Sequence, residues 1–412
     1  IITRAVSFKS IQTWNEELET NVVAYQPQND RVDFVSELAA NWVNLGQTPP
    51  KQRKVALILA NYPNKDGRIA NGVGLDTPAS CIEILKALQQ AGYSLTDIPA
   101  TGDELIQLLT AGITNDRESQ SIRPIYQYLS ITEYQEYFKT LPREIQQVII
   151  KRWGDIEQRS RNEKITPFHL SPFPISGIQL GNIFIGIQPS RGYDLDPSLN
   201  YHAPDLEPTH EYLAFYYWLR HKFQVQAIVH VGKHGNLEWL PGKSIALSAD
   251  CYPEIALQAI PNIYPFIVND PGEGSQAKRR SQAVIIDHLT PPLTRAELYG
   301  GLEKLEALID EYYEAQSLDP SRLPVISDRI TQLVQEEQLN RDLGIEEIDP
   351  QSITQFLTIA DGYLCELKEA QIRDGLHILG KCPQNSQLRD LIIAIARSPS
   401  LNRLGLCLLL HI

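Results

Sequence analysis

Residues 225–295 decide the fold: VQAIVHVGKHGNLEWLPGKSIALSADCYPEIALQAIPNIYPFIVNDPGEGSQAKRRSQAVIIDHLTPPLTR. This stretch contains three short apolar runs, at 226–231, 263–268 and 283–287, and each run ends in a loop rich in glycine, proline or charged residues. Such runs are typical of parallel strands that are buried on both faces. Because ligands of open parallel sheets bind beyond the carboxyl ends of the strands, these loops are the place to look for a site.

The flanking sequence extends this pattern. Residues 54–60 (KVALILA) predict another buried strand, followed by a glycine-rich loop, a helix over 78–91 and a further strand over 92–99. Residues 175–188 predict strands joined by a turn at Gly181-Asn182. Helical patterns cover 103–158 and much of the chain after 299. The predicted fold class is α/β, with several domains of open, mostly parallel sheets flanked by helices and a helical C-terminal part.

The chain has 412 residues, which is enough for two or three domains. We predict an entry segment of the first domain (1–50), a doubly wound α/β unit with a helical insertion (51–160), an α/β core with the site motifs (161–300) and a mainly helical region (301–412). The sequence contains no methionine, begins at Ile1 and stops after an apolar run. We therefore expect a fragment of a longer protein, truncated in its helical region.

The composition excludes several classes of protein. A net charge of -13 argues against a nucleic-acid binder, since phosphate binding needs a basic face. No run approaches the ~18 apolar residues of a membrane-spanning helix, and no signal peptide opens the chain. Five cysteines lie far apart without a CxxC pair, which predicts reduced thiols and a cytoplasmic location.

Three residues of the central stretch are candidate proton carriers and metal ligands. His230 ends a predicted strand, and His234 and Glu238 lie on the glycine-flanked loop that follows it. Their spacing of four would align them on a helix, but Gly232, Gly235 and Pro241 argue against a helix there. For His230 alone, a role as a hydrogen-bonded core histidine is an equally good interpretation.

A second set of residues predicts an anion site. The basic residues are Arg191, Lys243, Lys278, Arg279 and Arg280, which could bind a ligand that carries carboxylates. His202, His210 and Asn269 are added because they lie in or beside predicted loops near these cations. The sequence Gly242-Lys243-Ser244 is not a nucleotide-binding P-loop, because Leu237 occupies the position of the first glycine.

Several long motifs resemble one known family. They are HVGKHGNLEWLPGK (230–243), NDPGEGSQAKRR (269–280), DHLTPPLTRAELYG (287–300), IQPSRGY (187–193), DGLHILG (374–380) and NYPNKDGRIANGVGLDTPAS (61–80). They are similar to motifs of the family that comprises the large subunit of aerobic cobaltochelatase, CobN, and the magnesium chelatase H subunit. The variants EWLPGK and NDPGEG favour the cobalt branch.

The resemblance implies a function. Members of the cobalt branch are the tetrapyrrole- and metal-binding subunit of an ATP-dependent ligase that inserts Co²⁺ into hydrogenobyrinic acid a,c-diamide during cobalamin biosynthesis. The implied partners are the AAA+ subunits CobS and CobT, which hydrolyse ATP in place of this chain. In the magnesium branch the metal is Mg²⁺, the substrate is protoporphyrin IX, and the partners are the I and D type subunits.

Within that function, metal insertion requires the removal of two pyrrole N–H protons and of water from the ion. Glu238 and His234 are the predicted catalytic residues, and His230, His234 and Glu238 are the predicted metal ligands. The remaining candidates would bind the carboxylates of the substrate. Two other functions stay open: a non-catalytic tetrapyrrole carrier or sensor, and a metallohydrolase that uses the His/Glu cluster.

Overall fold

The structure is a computed structural model that describes residues 4–61, 64, 66, 69–70, 75–116, 122–156, 172–193, 205–232, 235–267, 271–288, 301–336, 356–357, 360, 363–364 and 377–396. The chain divides into two compact units, 1–72 with 77–288 and 73–76 with 289–412. Among the described residues, no helix is long and apolar enough to cross a membrane.

The strands are β1 (Ser7–Asn15), β2 (Thr20–Pro27), β3 (Val55–Leu59), β4 (Gln127–Leu129), β5 (Phe173–Ile175), β6 (Gly177–Leu180), β7 (Ile183–Ile187), β8 (Ala227–Val231), β9 (Asn262–Ile267) and β10 (Val284–His288). The helices are α1 (Asn29–Gln47), α2 (Thr77–Gln90), α3 (Gly102–Ala111), α4 (Ile131–Thr140), α5 (Arg143–Trp153), α6 (His210–Trp218), α7 (Tyr252–Leu257), α8 (Pro271–Arg280), α9 (Gly301–Leu318), α10 (Leu323–Glu336) and α11 (Asn385–Ala396).

The largest sheet of the first unit contains six of these strands in the order β10-β9-β8-β3-β7-β6. Its strands pair in parallel except for β6, which forms an antiparallel hairpin with β7 at the edge. β3, from the predicted 51–160 unit, pairs with both β7 and β8, from the predicted 161–300 core. These two segments therefore share one sheet.

Both faces of this sheet are covered, because alternate side chains of each strand point to opposite faces. Ala56 and Ile58 of β3 contribute to a core that α4, α5, α6 and α7 complete. Val55 and Leu57 contribute to a second core, completed by α2 and α3. This two-sided burial explains the continuous apolar sequence of β3 and β8. The prediction of an α/β fold with a mostly parallel sheet is confirmed.

One strand predicted in the first half of the chain was wrong. Residues 92–99 form no strand, because Asp97 has a φ of +52°, outside the extended region; Tyr93, Leu95 and Ile98 instead pack against the α2–α3 core as irregular chain. Within the predicted entry segment, β1 forms an antiparallel hairpin with β2.

A buried ionic cluster ties the N-terminal segment to the sheet domain. The carboxylate of Glu254 in α7 accepts from Arg4 Nε at 2.8 Å and from Arg31 Nη1 of α1 at 2.6 Å. Arg4 also donates to Gln282, just before β10, at 3.0 Å. All three charged side chains are almost completely covered. The cluster therefore depends on the pairing of its members, since an unpaired buried charge is costly.

The second unit is mainly helical where it is described. α9 and α10 pack through Leu305, Ile309, Ile326 and Ile330. Phe356, Leu357, Ala360 and Leu364 belong to the same core. The spacing of three and four residues along both helices is that of an amphipathic pair. The helical C-terminal part is therefore confirmed for the described residues.

We expect Glu254→Ala to lower the free energy of unfolding by about 3–5 kcal/mol, because it leaves Arg4 and Arg31 buried without their carboxylate. Urea denaturation followed by circular dichroism measures this change. The control is Lys86→Ala, which removes the exposed Lys86–Glu83 pair and should cost less than about 1 kcal/mol. Equal costs for the two variants would show that the cluster does not anchor the N-terminal segment.

Candidate functional site

The carboxyl ends of β3, β7 and β8 meet at one edge of the sheet. β3 lies between the other two strands, and the chain passes from β7 to β8 across the α6 face. The connection that leaves β3 through α2 and α3 lies on the opposite face. The strand order therefore reverses here, which is the position where open α/β sheets bind their ligands.

Amide side chains link the loops that leave these strands. Asn115 donates to Asn61 Oδ1, after β3, and to the carbonyl of Gln188, after β7, both at 2.8 Å. Asn236, after β8, donates its main-chain N–H to Gln188 Oε1 at 3.1 Å and its side-chain amide to the Pro189 carbonyl at 3.1 Å. These contacts fix the start of the loop that carries Glu238.

His230 lies in β8 beneath α6 and is 3% exposed. Its Nδ1 lies 2.9 Å from Asn262 Oδ1, and its Nε2 lies 3.1 Å from the Tyr216 hydroxyl. Because the Asn262 amide donates to the Ser281 carbonyl, its oxygen must accept from Nδ1–H. Nε2 then accepts from Tyr216, whose hydroxyl in turn accepts from Gln188 Nε2 at 3.0 Å. This assignment gives a neutral imidazole.

The charge state of His230 follows from its burial. Desolvation lowers the pKa of His230 to about 4, and the hydrogen bond to Asn262 only partly opposes this. Burial likewise raises the pKa of Tyr216 above its ordinary value, so this phenol keeps its proton and can donate it in the hydrogen bond. At neutral pH, His230 is therefore an uncharged member of a hydrogen-bonded network.

Glu238 lies on a 3-10 turn, Leu237–Trp239, and is 2% exposed. Its Oε1 accepts from the Tyr264 hydroxyl of β9 at 3.3 Å. A Cβ at Gly235 would lie only 3.0 Å from that hydroxyl and 3.1 Å from Glu238 Oε2. Any larger residue at 235 would therefore have to displace Tyr264 or the carboxylate by a few tenths of an ångström.

Arg280, at the end of α8, was predicted to bind a carboxylate of the substrate, but in the structure it binds main-chain carbonyls. Its guanidinium donates to the main-chain carbonyls of Glu238 (2.7 Å), Leu240 (2.6 Å), Gly242 (3.2 Å) and Lys243 (3.0 Å). The residue is 8% exposed. Arg280 thus binds the loop of Glu238, so its donors are not presented to a substrate carboxylate.

Arg191 and His210 also depart from the predicted role in substrate binding. Arg191 does follow β7, as expected, but it is 1% exposed and donates to the Leu206 carbonyl at 3.3 Å. His210 begins α6 inside the aromatic core, where Tyr134 and the Gly154 carbonyl contact its two ring nitrogens, each at 3.0 Å. Both side chains are buried and make hydrogen bonds to other parts of the protein in this structure.

The other predicted cations lie at the surface. Lys243 is exposed, and its Nζ donates to Ser248 Oγ at 2.7 Å. In α8, Lys278 is half-buried and Arg279 is exposed, next to Arg280. Lys243 belongs to the loop that follows Glu238, and Lys278 and Arg279 lie on the helix that Arg280 joins to this loop.

Three predicted site residues, His202, His234 and Asn269, lie outside the described residues. Within the described part, no group of three or more His, Cys, Asp or Glu side chains could hold a metal ion. The metal-binding trio of His230, His234 and Glu238 therefore stays a prediction.

The residues that position these candidates were not predicted from the sequence: they are Gln188, Tyr212, Tyr216, Asn236, Asn262 and Tyr264. Tyr212 and Tyr216 lie in the apolar stripe of α6, so their sequence pattern predicts only packing. The Tyr212 hydroxyl nevertheless donates to Asn236 Oδ1 at 2.6 Å, and the Tyr216 hydroxyl is hydrogen-bonded to His230. A tyrosine at a predicted buried position could have indicated this network, because a buried phenol needs a hydrogen-bond partner.

The chain is similar in sequence to known proteins of one family. Residues 1–410 match the family model described as CobN/Magnesium Chelatase. The chain is 50% identical over 400 residues to the aerobic cobaltochelatase subunit CobN of Pseudomonas aeruginosa, covering 97% of this chain and 31% of that protein. It is 30% identical over 360 residues to the magnesium-chelatase H subunit of Chlorobaculum parvum, covering 87% and 27%.

A solved structure, the catalytic subunit of cobaltochelatase from Mycobacterium tuberculosis, matches with a TM-score of 0.66 and 41% identity, over 96% of this chain and 33% of that one. This likeness supports the α/β fold described above. The chain spans about a third of the length of these relatives.

The neutral His230 predicts a pH dependence of stability. Its pKa is about 6.5 in the unfolded chain and about 4 in the folded protein, so between these values only the unfolded state takes up the proton. The free energy of unfolding therefore falls as the pH falls through this window, by about 2 kcal/mol between about pH 7 and about pH 5. Urea denaturation at the two pH values measures it.

His230→Gln is the matched variant, because it keeps a hydrogen-bonding side chain that does not titrate. The variant should be less stable near pH 7 but should lose about 2 kcal/mol less than the wild type on acidification. An identical loss in both proteins would contradict the assignment of a neutral imidazole to the folded state.

Proposed function

The chain belongs to the CobN/magnesium chelatase family, and from this premise we propose that it carries part of the tetrapyrrole- and metal-binding site of a cobaltochelatase. The reaction is the insertion of Co²⁺ into hydrogenobyrinic acid a,c-diamide in cobalamin biosynthesis. The higher identity to CobN, 50% against 30% for the magnesium-chelatase H subunit, supports cobalt over magnesium. Cobalt here is the substrate metal.

One observation carries this proposal: a carboxylate and a basic helix are joined at the switch point of the sheet. Glu238 lies on the loop after β8, and Arg280 binds that loop to α8, which also carries Lys278 and Arg279. A tetrapyrrole with peripheral carboxylates needs cations around its rim and a proton acceptor near its centre. The two groups lie on neighbouring elements, and because Glu238 is 2% exposed, its proposed role requires a movement of the loop that carries it.

Glu238 is the proposed proton acceptor for the pyrrole N–H groups. A carboxylate can also exchange ligands with a divalent cation, which helps to remove water from the ion. His234 is the proposed second catalytic residue and, with His230 and Glu238, a proposed metal ligand. Both ring nitrogens of His230 already make hydrogen bonds, so its direct role would require the loss of one of them.

Fewer of the predicted cations remain as proposed ligands of the substrate. Lys243, Lys278 and Arg279 retain this role, because they are at least partly exposed near the loop of Glu238. Arg191, His210 and Arg280 are used inside the protein. His202 and Asn269 remain proposed contacts.

The energy source is proposed to be a separate AAA+ motor of the CobS and CobT type, which hydrolyses ATP. This division of labour agrees with the sequence, which contains no GxxxxGK[ST] motif. The proposed compartment is the cytoplasm, since the described cysteines Cys81, Cys251 and Cys382 are not in disulfides.

The test of the proton acceptor is Glu238→Gln, which keeps the size of the side chain and removes its charge. We expect cobalt insertion in the assembled, ATP-driven complex to fall at least about 100-fold, within the usual contribution of general acid–base catalysis. Tetrapyrrole binding, followed by absorbance titration, should persist. Glu144→Gln, on the exposed face of α5, is the control and should retain both. Full activity of Glu238→Gln would remove Glu238 from the mechanism.

The double variant Lys278→Gln/Arg279→Gln tests the substrate cations. Each exposed ion pair contributes up to about 1 kcal/mol, so we expect the Kd for hydrogenobyrinic acid a,c-diamide to rise about 3- to 30-fold. The salt dependence of binding should weaken in parallel, because fewer charges take part. An unchanged Kd at low salt would show that the macrocycle does not contact α8.

The other functions are distinguished by tetrapyrrole titration, metal-insertion assays and metal analysis of the isolated protein. Binding of the macrocycle without any insertion of Co²⁺ or Mg²⁺ by the assembled complex would favour a tetrapyrrole carrier. Insertion of Mg²⁺ into protoporphyrin IX in preference to Co²⁺ into the corrin precursor would favour the magnesium branch. Tightly bound zinc in the isolated protein would favour a metallohydrolase.

A further inference from the structure

The loop from Glu238 to Lys243 has little regular structure of its own. Its 3-10 turn ends at Trp239, Pro241 has no N–H to donate, and Gly242 has a φ of +138°. Main-chain carbonyls in such a segment need donors from elsewhere when they are buried. Here a single side chain, Arg280, supplies donors to four of them.

Arginine suits this task better than lysine does. Its planar guanidinium presents donors from three nitrogens in a fixed geometry, whereas an ammonium is a compact point charge. Nε, Nη1 and Nη2 each bind a carbonyl of the loop, at distances from 2.6 to 3.2 Å. The loop is thus wrapped around one rigid group.

Arg280 is itself held in place through the sheet. The next residue, Ser281, is fully buried, and its carbonyl accepts from the Asn262 amide at 2.9 Å. Asn262 is the first residue of β9 and also binds His230. The backbone of Glu238 is therefore connected to the central strands through Arg280, and its carboxylate is connected to β9 through Tyr264.

We propose that Arg280 is a positioning residue for Glu238: it holds the loop of residues 238–243 and thereby sets the position from which the carboxylate acts. This inference rests on the proposed role of Glu238 as proton acceptor. It replaces the simpler idea that Arg280 binds a carboxylate of the substrate. The two roles predict different kinetic effects, because a positioning residue affects turnover and a substrate ligand affects binding.

The test is Arg280→Lys, which keeps the charge but cannot bind all four carbonyls. A displacement of the carboxylate by about 1 Å should reduce kcat for cobalt insertion about 10- to 100-fold. The Kd for hydrogenobyrinic acid a,c-diamide should stay within about twofold. Arg280→Gln should have a larger effect on kcat and a similarly small effect on Kd. Arg143→Lys, on the exposed start of α5, is the matched control and should change neither.

A double variant separates positioning from a general loss of structure. In the Glu238→Gln background, Arg280→Lys should cause no further loss of single-turnover insertion, because the group that it positions is gone. An equal loss in both backgrounds would overturn the inference and leave the role of Glu238 intact. A fall in tetrapyrrole affinity that matches the fall in kcat would assign Arg280 to the substrate. Full activity of Glu238→Gln alone would remove both proposals.

The loop can also be followed without activity. Trp239, next to Glu238, is 38% exposed, and the chain has five tryptophans. Acrylamide quenching of the wild type and of Arg280→Lys, each compared with its Trp239→Phe version, isolates the signal of Trp239. We expect at least a twofold increase in its quenching constant in Arg280→Lys. Unchanged quenching would show that the loop keeps its position without the guanidinium.

Discussion

The site depends on the pairing of β3 with both β7 and β8. These partners lie far from β3 along the chain, yet Val55 pairs with Ile183 on one side and with Ala227 on the other. Only this arrangement brings the loops after the three strands to one edge of the sheet. Without it, Asn61, Gln188 and Asn236 would not meet. A core of long-range parallel pairs is slow to form, but it gives the loops a rigid base.

On this base, the buried polar groups satisfy one another. Gln188 binds Tyr216 and Asn236, Tyr216 binds His230, and His230 binds Asn262. In an interior of low dielectric such a network is favourable only when its members are paired, because an unpaired polar group is costly. The neutral state of His230 follows from the same condition. The network therefore fixes the exit of β8, and a fixed exit is what a preorganised site requires.

The sequence predicts the framework better than the side-chain roles. Short apolar runs identify β3 and β8 because strands buried on both faces need apolar residues throughout. They also identify β9 and the edge strand β10, although Val284 and Ile286 of β10 are exposed. Residues 92–99 look similar, yet the left-handed φ of Asp97 prevents a strand there. Glu238 and the basic residues of α8 come from separate motifs, and Arg280 joins the two elements. The exposure of each cation could not be predicted, because it depends on the packing of α8 against a loop that is distant in the chain.

The helical phase of α8 explains how adjacent basic residues acquire different roles. Gly274, Ala277 and Ser281 are buried and spaced by three and four residues, so they define the face that packs inward. Arg280 lies beside that face and reaches the loop carbonyls, whereas Arg279 points to solvent. The small residues at 274 and 277 let the helix approach closely, which places the guanidinium within hydrogen-bonding distance of the loop.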